Sequence, residues 1–283
     1  MNDRFLVLGR GRLGNSLHTA LLAAGLRSQL LPGRHGVATL RQRLGENPGA
    51  YVILAVPDPA VQSVASVLAT SGVRPGTTVI HLSGSLGLGP LDPLRTAGCA
   101  VGAFHPLQSF PEPRPPEAFR GSLFGIDASS EALLAELDDL ATALGGLSRR
   151  VRDEQRALYH LAASMVSSYM ACLADQGATA LRAAGWSRAE ALEALIPLMT
   201  GAVDNLAAHG LPGALIGPIR RGDPDTVQRH LAAIATASHG GHLDAVYRTL
   251  GMVAVDLAAE AGLDAGRVTE LAKLLRPAVS IAG

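Results

Sequence analysis

The chain has 283 residues, of which 48% are hydrophobic and 17% are charged, so it can bury a large core and does not have the composition of a disordered protein. Its formal net charge is zero, which gives no indication of nucleic acid or of an anionic membrane as a partner. The two cysteines, Cys99 and Cys172, match no metal-binding spacing, so we predict no metal site and expect buried free thiols in a reducing compartment.

The segment Arg4–Gly14, RFLVLGRGRLG, predicts a short apolar strand, a glycine turn and a helix that continues from Asn15 to about Ala24. In a G-x-G-x-x-G turn, Gly9 allows the sharp bend, Gly11 lets a pyrophosphate approach the backbone, and Gly14 lets the helix pack on the strand. The helix N-terminus then favours the anion. A purely structural glycine turn is the alternative. The predicted dinucleotide-binding residues of this segment are Gly9, Gly11, Arg12, Leu13 and Gly14.

A second strand is predicted at Arg27–Leu31, followed by Pro32-Gly33-Arg34-His35. In a dinucleotide fold, an acid after this strand would bind the 2′-hydroxyl of NAD, whereas an arginine suits a 2′-phosphate. No acid is present, so Arg34 predicts NADP as the cofactor. A solvated loop arginine is the alternative.

Two further apolar runs, at 51–56 and 77–82, predict buried parallel strands, with a helix at about 60–69 between them. Ligands of open α/β sheets bind beyond the carboxyl ends of the strands. Asp58, Ser83 and Ser85 are therefore predicted to lie where a nicotinamide or substrate binds, although Asp58 could equally be a helix N-cap. The predicted cofactor-binding residues here are Val56, Pro57, Asp58 and Ser83.

The strand predicted at 100–104 ends at His105, which starts the segment His105-Pro106-Leu107-Gln108. A histidine at this edge could donate a proton, and Gln108 could contact a substrate; a histidine that satisfies loop carbonyls is the alternative. Strands at 123–127 and 147–151 flank a helix at 131–144. The alternation predicts an α/β fold with a doubly wound parallel sheet, a Rossmann domain covering residues 1–151.

From Asp153 onward only helical patterns follow, which predicts an all-α domain at residues 152–283. The first helix is predicted to run to about 184. It would align three polar side chains at i, i+4 and i+8, which we predict to be catalytic together with His105; serines that permit close helix packing are the alternative. These three are His160, Ser164 and Ser168. Later helices are predicted at 187–209, 223–237, 242–261 and 264–275, and the loop before Asp223 carries Arg220 and Arg221, which could bind an anionic substrate.

Five motifs occur in order: GRGRLG at 9–14, HLSG at 81–84, FHPLQSF at 104–110, YHxxAS at 159–164 and GPIRRGD at 217–223. This combination resembles the Rossmann-like proteins that carry a DUF2520 domain, within the larger 6-phosphogluconate dehydrogenase-like group. That group includes ketopantoate, pyrroline-5-carboxylate and F420-dependent NADP reductases. The resemblance implies an NADP-linked oxidoreductase that commonly dimerises through its C-terminal helices.

Two members of that group, the β-hydroxyacid dehydrogenases and the ketopantoate reductases, use a Lys-x-x-x-Asn pair on the first long helix of the C-terminal domain. The chain departs from them, because the matching positions here are Ser164 and Ser168. The single lysine, Lys273, lies near the other end of the chain, so proton chemistry falls to His105 or His160.

We therefore expect an NADP-dependent reductase of a small carbonyl or imine compound, such as a 2-keto acid, with its site between the domains. Two alternatives are a non-catalytic NADP(H)-binding sensor or scaffold and a prephenate dehydrogenase-like enzyme, which the His-Pro pair at 105–106 favours. Because a strand begins within four residues of Met1 and no apolar run is long enough to span a membrane, we expect a cytoplasmic protein with no membrane partner. The zero net charge predicts no nucleic acid partner, and the resemblance implies a homodimer formed through the C-terminal helices.

Overall fold

The computed structural model describes residues 4–33, 36–46, 49–237 and 241–276. The chain divides into two compact units, Met1–Ser167 and Ser168–Gly283. The division falls one helix later than the predicted boundary between residues 151 and 152. The intervening helix belongs to the first unit because two of its side chains contact residues of that unit: Tyr159 contacts His105, and Arg156 contacts Ser83.

The first unit is built on a seven-stranded sheet with the order β2-β1-β3-β4-β5-β6-β7, and all seven predicted strands are present. Every neighbouring pair is parallel except β5 and β6. The strands are β1 Phe5–Leu8, β2 Ser28–Leu31, β3 Tyr51–Leu54, β4 Thr78–His81, β5 Ala100–Pro106, β6 Leu123–Ala128 and β7 Leu147–Arg150.

The predicted doubly wound parallel sheet is present, with one antiparallel pair that the sequence did not indicate. A parallel neighbour requires a crossover, usually a helix, to bring the chain back to the starting edge. Between β5 and β6 the chain has only a loop with one 3-10 turn, Pro116–Phe119, so β6 returns beside β5 in the opposite direction. The strand β5 also extends two residues beyond its predicted end, and His105 pairs with Gly125 inside the sheet.

Helices cover both faces of this sheet, which makes it doubly wound. On one face α1 and α5 bury leucines against Phe104 and Phe124, and on the other face α2, α3 and α4 pack against Val52 and Val79. Strands that are covered on both faces have continuous runs of apolar residues in the sequence. Their positions could therefore be predicted from the sequence. The helices of the first unit are α1 Arg12–Ala23, α2 Val37–Glu46, α3 Asp58–Thr70, α4 Asp92–Thr96, α5 Glu131–Ala143 and α6 Arg156–Val166.

The long helix predicted from Asp153 is interrupted. After a 3-10 turn at Asp153–Gln155, α6 ends at Val166 and a new helix begins at Ser168. The hydroxyl of Ser167 donates to the carbonyl of Ala163 at 2.6 Å, a side-chain bond to the preceding turn that bends helices. The prediction of one continuous helix is therefore wrong: His160 and Ser164 lie on α6, and Ser168 begins the next helix.

The second unit is all-α, as predicted. Its helices begin at the expected caps: Ser187 and Glu190 form a reciprocal capping box, and Asp223 and Asp264 accept hydrogen bonds from the first turns that follow them. The regular part of α8 ends where predicted, because Gly210 has a φ of 60°. The helices are α7 Ser168–Ala183, α8 Arg188–Gly213, α9 Pro218–Arg221, α10 Pro224–Thr236, α11 Leu243–Glu260 and α12 Ala265–Leu275.

The core of this unit lies between α10, α11 and α12, around Val227, Val255 and Leu271. In contrast, α6, α7 and α8 leave many large apolar side chains exposed. By length and composition alone, the segments Asp153–Ala183 and Arg188–Arg221 could cross a membrane. The exposed side chains include Leu158, Leu161, Met165, Val166, Tyr169, Met170, Leu173, Leu192, Ile196, Leu198, Val203 and Leu206.

Candidate functional site

The three glycines after β1 occupy three different environments. Gly9 has a φ of +131°, and a Cβ there would lie 2.1 Å from the carbonyl oxygen of Ala55. A Cβ on Gly14 would lie 2.0 Å from the carbonyl oxygen of Gly9, whereas a Cβ on Gly11 would meet nothing within 4 Å. Gly9 and Gly14 are therefore needed for the packing of turn, helix and sheet, and Gly11 leaves open space beside the backbone, where a pyrophosphate fits.

The N-terminus of α1 is available to an anion. Gly11 is the N-cap residue and has no side chain to satisfy the first amides, and the first intrahelical bond runs from Asn15 N–H to Gly11 O at 3.0 Å. The backbone amides of Arg12, Leu13 and Gly14 come before that bond and have no intrahelical acceptor. They can therefore donate hydrogen bonds to a phosphate. The side-chain amide of Asn15 (Nδ2) donates to Arg10 O at 2.6 Å, which fixes the turn.

This turn lies where the order of the sheet reverses, because β1 has β2 on one side and β3 on the other. Open α/β sheets bind their ligands at such a switch point, beyond the carboxyl ends of the strands. The residues present therefore fit a dinucleotide.

A hydroxyl and carboxylate network occupies the same edge at the ends of β3 and β4. Ser83 Oγ and Ser85 Oγ each donate to Asp58 Oδ2 at 2.7 Å. The N-cap residue of α3 is Pro57, and Asp58 is the first helical residue, so Asp58 does not act as the plain N-cap that was the alternative. The segment from Val56 to Asp58 is thereby tied to the loop after β4.

His81, the last residue of β4, forms hydrogen bonds with the backbone of the loop that follows this strand. Its side chain is fully buried; Nε2 lies 2.9 Å from Gly87 O, and the Ser83 amide donates to Nδ1 at 3.1 Å. A carbonyl only accepts and an amide only donates, so the ring carries its proton on Nε2. Burial lowers the pKa of His81 from 6.5 to about 4, so the imidazole is neutral near pH 7.

His105, at the end of β5, pairs with a residue of α6. Its Nδ1 lies 2.9 Å from the hydroxyl of Tyr159, and the two rings meet edge to face. Burial and, next, the positive charge of Arg156 lower the pKa of His105 from 6.5 to about 4. Burial raises the pKa of Tyr159 to about 12. Both side chains are therefore uncharged near neutral pH.

Glycines make room for this pair on both sides. A Cβ on Gly84 would lie 2.8 Å from Nε2 of His105, and a Cβ on Gly125 would lie 2.8 Å from the hydroxyl of Tyr159. The strand pairing of His105 with Gly125 places the ring and the hydroxyl side by side.

Arg156 is the most deeply buried charge of the described residues, at 1% exposure. Its Nη1 donates to Ser83 O at 3.3 Å, and within the described residues its Nε and Nη2 have no hydrogen-bond partner. Burial lowers the pKa of Arg156, and the charges of Asp127 and Asp153 oppose this effect. A guanidinium with so few bonds carries a strong local field because little solvent screens it.

The other predicted site residues lie outside this cluster or outside the described residues. Gln108 is exposed, and its amide bonds its own loop, donating to Ala118 O and accepting from Ser109 N–H. His160 is exposed and Ser164 is half-buried on α6, while Ser168 begins α7 in the second unit. In the same unit Arg220 donates to Ala261 O at 3.4 Å, at the C-terminal end of α11, and Arg221 is exposed. Arg34 lies outside the described residues.

Sequence reasoning missed Arg156, Tyr159 and His81 as members of the cluster. A usable signal existed for two of them, because Arg156 and Tyr159 are spaced i, i+3 and therefore share a helix face. For His81 the signal was a histidine at the end of an otherwise apolar strand. The expectation of buried cysteines was correct for Cys99 and wrong for Cys172, which is exposed.

Comparison with known families agrees with this architecture. A Rossmann-like domain matches residues 30–106, and the domain of unknown function DUF2520 matches residues 122–254. The chain therefore carries a Rossmann-like domain followed by a DUF2520 domain. The resemblance inferred from the five motifs is thereby confirmed. No curated protein sequence matches the chain.

Solved structures share the fold of this DUF2520 protein at low sequence identity. TM1727 of Thermotoga maritima has a TM-score of 0.65 at 22% identity, over 91% of this chain and 99% of that one. BF3122 of Bacteroides fragilis, a proposed NADP oxidoreductase, has a TM-score of 0.63 at 20% identity, over 91% and 98%. The pyrroline carboxylate reductase of Plasmodium falciparum, solved with NADP bound, has a TM-score of 0.54 at 12% identity, over 97% and 99%.

Proposed function

We propose that this DUF2520 protein is an NADP-dependent oxidoreductase that reduces a small carbonyl or imine compound, of which a 2-keto acid is one form. The observation that carries the proposal is the open backbone at Gly11, beside a free helix N-terminus at the switch point of the sheet. The His105–Tyr159 pair lies on a strand end of that same edge, which gives the site a group able to handle a proton.

The ligands and activities described for the similar structures support this proposal. One is a reductase of an imine-containing compound with NADP bound, and another is a proposed NADP oxidoreductase. The choice of NADP over NAD rests on the sequence after β2, where Arg34 stands and no acid is present.

In the proposed reaction, NADPH supplies a hydride to the carbon of the C=O or C=N bond. The chain's own residues bind the cofactor, orient the substrate and donate a proton to it. Gly11 and the amides that follow it hold the pyrophosphate, the Asp58 network fixes the loop from Ser83 to Ser85, and His105 presents a proton to the substrate oxygen or nitrogen. His160, Ser164, Ser168, Gln108, Arg220 and Arg221 stay predicted contributors to catalysis or substrate binding.

The nucleotide proposal is tested by titrating the protein with NADPH and, separately, with NADH, following nicotinamide fluorescence. We expect tight binding of NADPH, weak binding of NADH, and loss of the difference in Arg34→Asp. The matched control is Arg27→Asp, because Arg27 precedes β2 and Arg34 follows it, so both variants make the same charge change. If neither NADPH nor NADH binds, the proposal is overturned.

Turnover is tested by adding pyruvate, other small 2-keto acids and cyclic imines to the NADPH-loaded protein and following NADPH absorbance. Oxidation that depends on one class of compound supports the reductase. Tight binding of NADPH with no oxidation by any member would favour the sensor or scaffold instead.

We also propose that the protein is a cytoplasmic homodimer formed through the helices of α6 to α8. Exposed apolar side chains on these helices, such as Val166 at 71% and Leu198 at 66%, need a covering surface. The same helices carry charged residues, among them Arg182, Glu190 and Asp204, which disfavours burial in lipid and favours a protein partner.

A further inference from the structure

The His105–Tyr159 contact has a direction that can be argued from its atoms. The hydroxyl of Tyr159 lies 2.9 Å from Nδ1 of His105 and 3.4 Å from the carbonyl oxygen of the same residue. At the carbonyl only the hydroxyl can donate, whereas at Nδ1 either partner can donate, depending on the tautomer of the ring. The single hydroxyl proton is better placed for Nδ1, the shorter contact, and when it is donated there the ring proton lies on Nε2.

This tautomer leaves the proton-bearing nitrogen of the imidazole without a protein partner. Among the described residues no hydrogen bond to Nε2 is present, and Nε2 is not one of the buried unpaired atoms. A Cβ on Gly84 would lie 2.8 Å from Nε2 and Cε1 and 3.0 Å from Cδ2, so this glycine makes room for the face of the ring. His105 is partly buried, and its Nδ1 faces the hydroxyl of Tyr159.

The protonation states of the pair restrict what His105 can do. With a pKa of about 4, His105 carries one ring proton near pH 7 and is not an imidazolium acid. A neutral imidazole that gives up its only proton would become an anion, unless it takes up another proton on its second nitrogen at the same time. The only group hydrogen-bonded to that nitrogen among the described residues is the hydroxyl of Tyr159.

We propose that Tyr159 is the source of the reaction proton and that His105 relays it. The inference rests on the proposed reductase function. The substrate oxygen or nitrogen takes the proton from Nε2 of His105 as hydride reaches the adjacent carbon. Nδ1 takes the hydroxyl proton of Tyr159 in the same step, so His105 stays neutral, and water later returns a proton to the phenolate.

Arg156 supplies the charge that such a relay requires. It lies one turn before Tyr159 on α6, it is 1% exposed, and two of its nitrogens have no partner among the described residues. Its charge favours the phenolate of Tyr159 and disfavours a cationic His105, so it acts in the same direction on both members. The other charged or titratable groups that act on His105 are His160, Asp58 and His81.

The tautomer is tested without any substrate. In protein labelled with ¹⁵N-histidine, with His105 identified by comparison with His105→Gln, we expect Nε2 to be protonated and Nδ1 to be a bare acceptor at pH 7. Addition of NADP⁺ should leave this tautomer in place. A proton on Nδ1 would overturn the relay whether or not a substrate is known, because Tyr159 could then not pass its proton to the ring.

The relay itself is tested in turnover with the substrate found among the keto acids and cyclic imines. Tyr159→Phe fills the same volume without the hydroxyl, so we expect kcat to fall about 100-fold while KM changes little. The kcat of the wild type should also fall in D₂O, and this isotope effect should change in the variant. Retention of both kcat and the isotope effect in Tyr159→Phe would overturn the relay and leave the reductase proposal intact.

A second histidine–tyrosine pair provides the matched control. In the second unit, His230 Nδ1 lies 2.9 Å from the hydroxyl of Tyr247, with the rings again edge to face. Tyr247→Phe removes an equivalent hydrogen bond, and we expect kcat within about twofold of the wild type.

The role of Arg156 is tested by comparing Arg156→Lys, which keeps the charge, with Arg156→Met, which removes it. We expect the lysine variant to retain most of the kcat and the methionine variant to lose it. Equal kcat in the two variants would show that the charge plays no part in the relay. If the methionine variant does not fold, Tyr159→Phe decides the proposal.

Discussion

The carboxylate of Asp58 accepts a hydrogen bond from the hydroxyl of Ser83 at 2.7 Å, across 25 residues of sequence. The same oxygen accepts the hydroxyl of Ser85, also at 2.7 Å. One carboxylate at the start of α3 therefore fixes the loop that follows β4. Below that loop His81 holds its backbone, and Arg156 bonds the carbonyl of Ser83 from the side of α6. The loop is held from three elements, which is the rigidity that a binding edge needs.

Replacement of Asp58 by alanine should lower the free energy of unfolding by about 1–2 kcal/mol through loss of two hydrogen bonds to a charged group, one of which is exposed. Asp92→Ala is the control, because Asp92 also begins a helix and precedes a proline but forms only an exposed pair with Arg95. Urea unfolding of both variants measures the difference. Equal losses would mean that the contribution of Asp58 comes from the helix dipole alone.

The glycines of the first turn should separate folding from binding. Gly9→Ala and Gly14→Ala place a Cβ about 2 Å from a carbonyl oxygen, so each should lower the free energy of unfolding by about 2–4 kcal/mol. Gly11→Ala meets nothing within 4 Å and should keep the stability of the wild type. Its NADPH affinity should fall about tenfold or more, on the order of 1.4 kcal/mol, because the methyl group occupies the approach of the phosphate.

Thermal unfolding and NADPH titration of the same three variants provide the measurement. Gly45→Ala is the control, since Gly45 lies in α2 with nothing within 4 Å of its Cβ position. A Gly11→Ala variant that binds NADPH as tightly as the wild type would contradict the assignment of this backbone to the pyrophosphate.

The strands and most helix ends were predictable because they depend on local patterns. Buried strands read as apolar runs, and caps such as Asp264 depend on residues within one turn. The direction of β6 was not predictable, because it depends on whether the chain crosses over the sheet between β5 and β6. The break at Ser167 was missed for a similar reason, since the flanking residues 156–183 are good helix formers and a single serine side chain bends the backbone.

The sequence could predict which candidate site residues follow each strand, but not how they are arranged in space. Gly11, Asp58, Ser83 and His105 each follow or end a strand, so the edge they share could be read from the sequence. The sequence could not predict which side chain of α6 reaches that edge. The rotation of α6 about its own axis determines which of two neighbouring residues faces the sheet. The structure turns Tyr159 toward His105 and exposes His160, the residue predicted for the role.

Burial of His81 should make stability depend on pH. Its pKa is about 4 in the folded protein and 6.5 in an exposed chain, so between these values the unfolded state binds a proton that the folded state does not. Stability is therefore complete above pH 6.5 and falls as the pH is lowered toward 4, by about 3 kcal/mol from this group. The measurement is urea unfolding at pH 7 and pH 5.

The variant His81→Gln should show a smaller loss of stability between pH 7 and pH 5 than the wild type. His209→Gln, at an exposed position on α8, should keep the pH dependence of the wild type. A pH dependence in His81→Gln equal to that of the wild type would assign the effect to other groups, with His105 the first to examine.

The exposed helix faces should control the assembly state. Leu198 on α8 is 66% exposed, so a charge there should barely change the stability of a lone chain but should weaken a dimer formed through these helices. In Leu198→Glu we expect a monomer, or at least about a tenfold weaker dimer, in sedimentation velocity. Leu147→Glu is the control, because Leu147 is also 66% exposed but lies on the edge strand β7. A Leu198→Glu protein that sediments like the wild type, as a dimer, would place the interface on another surface.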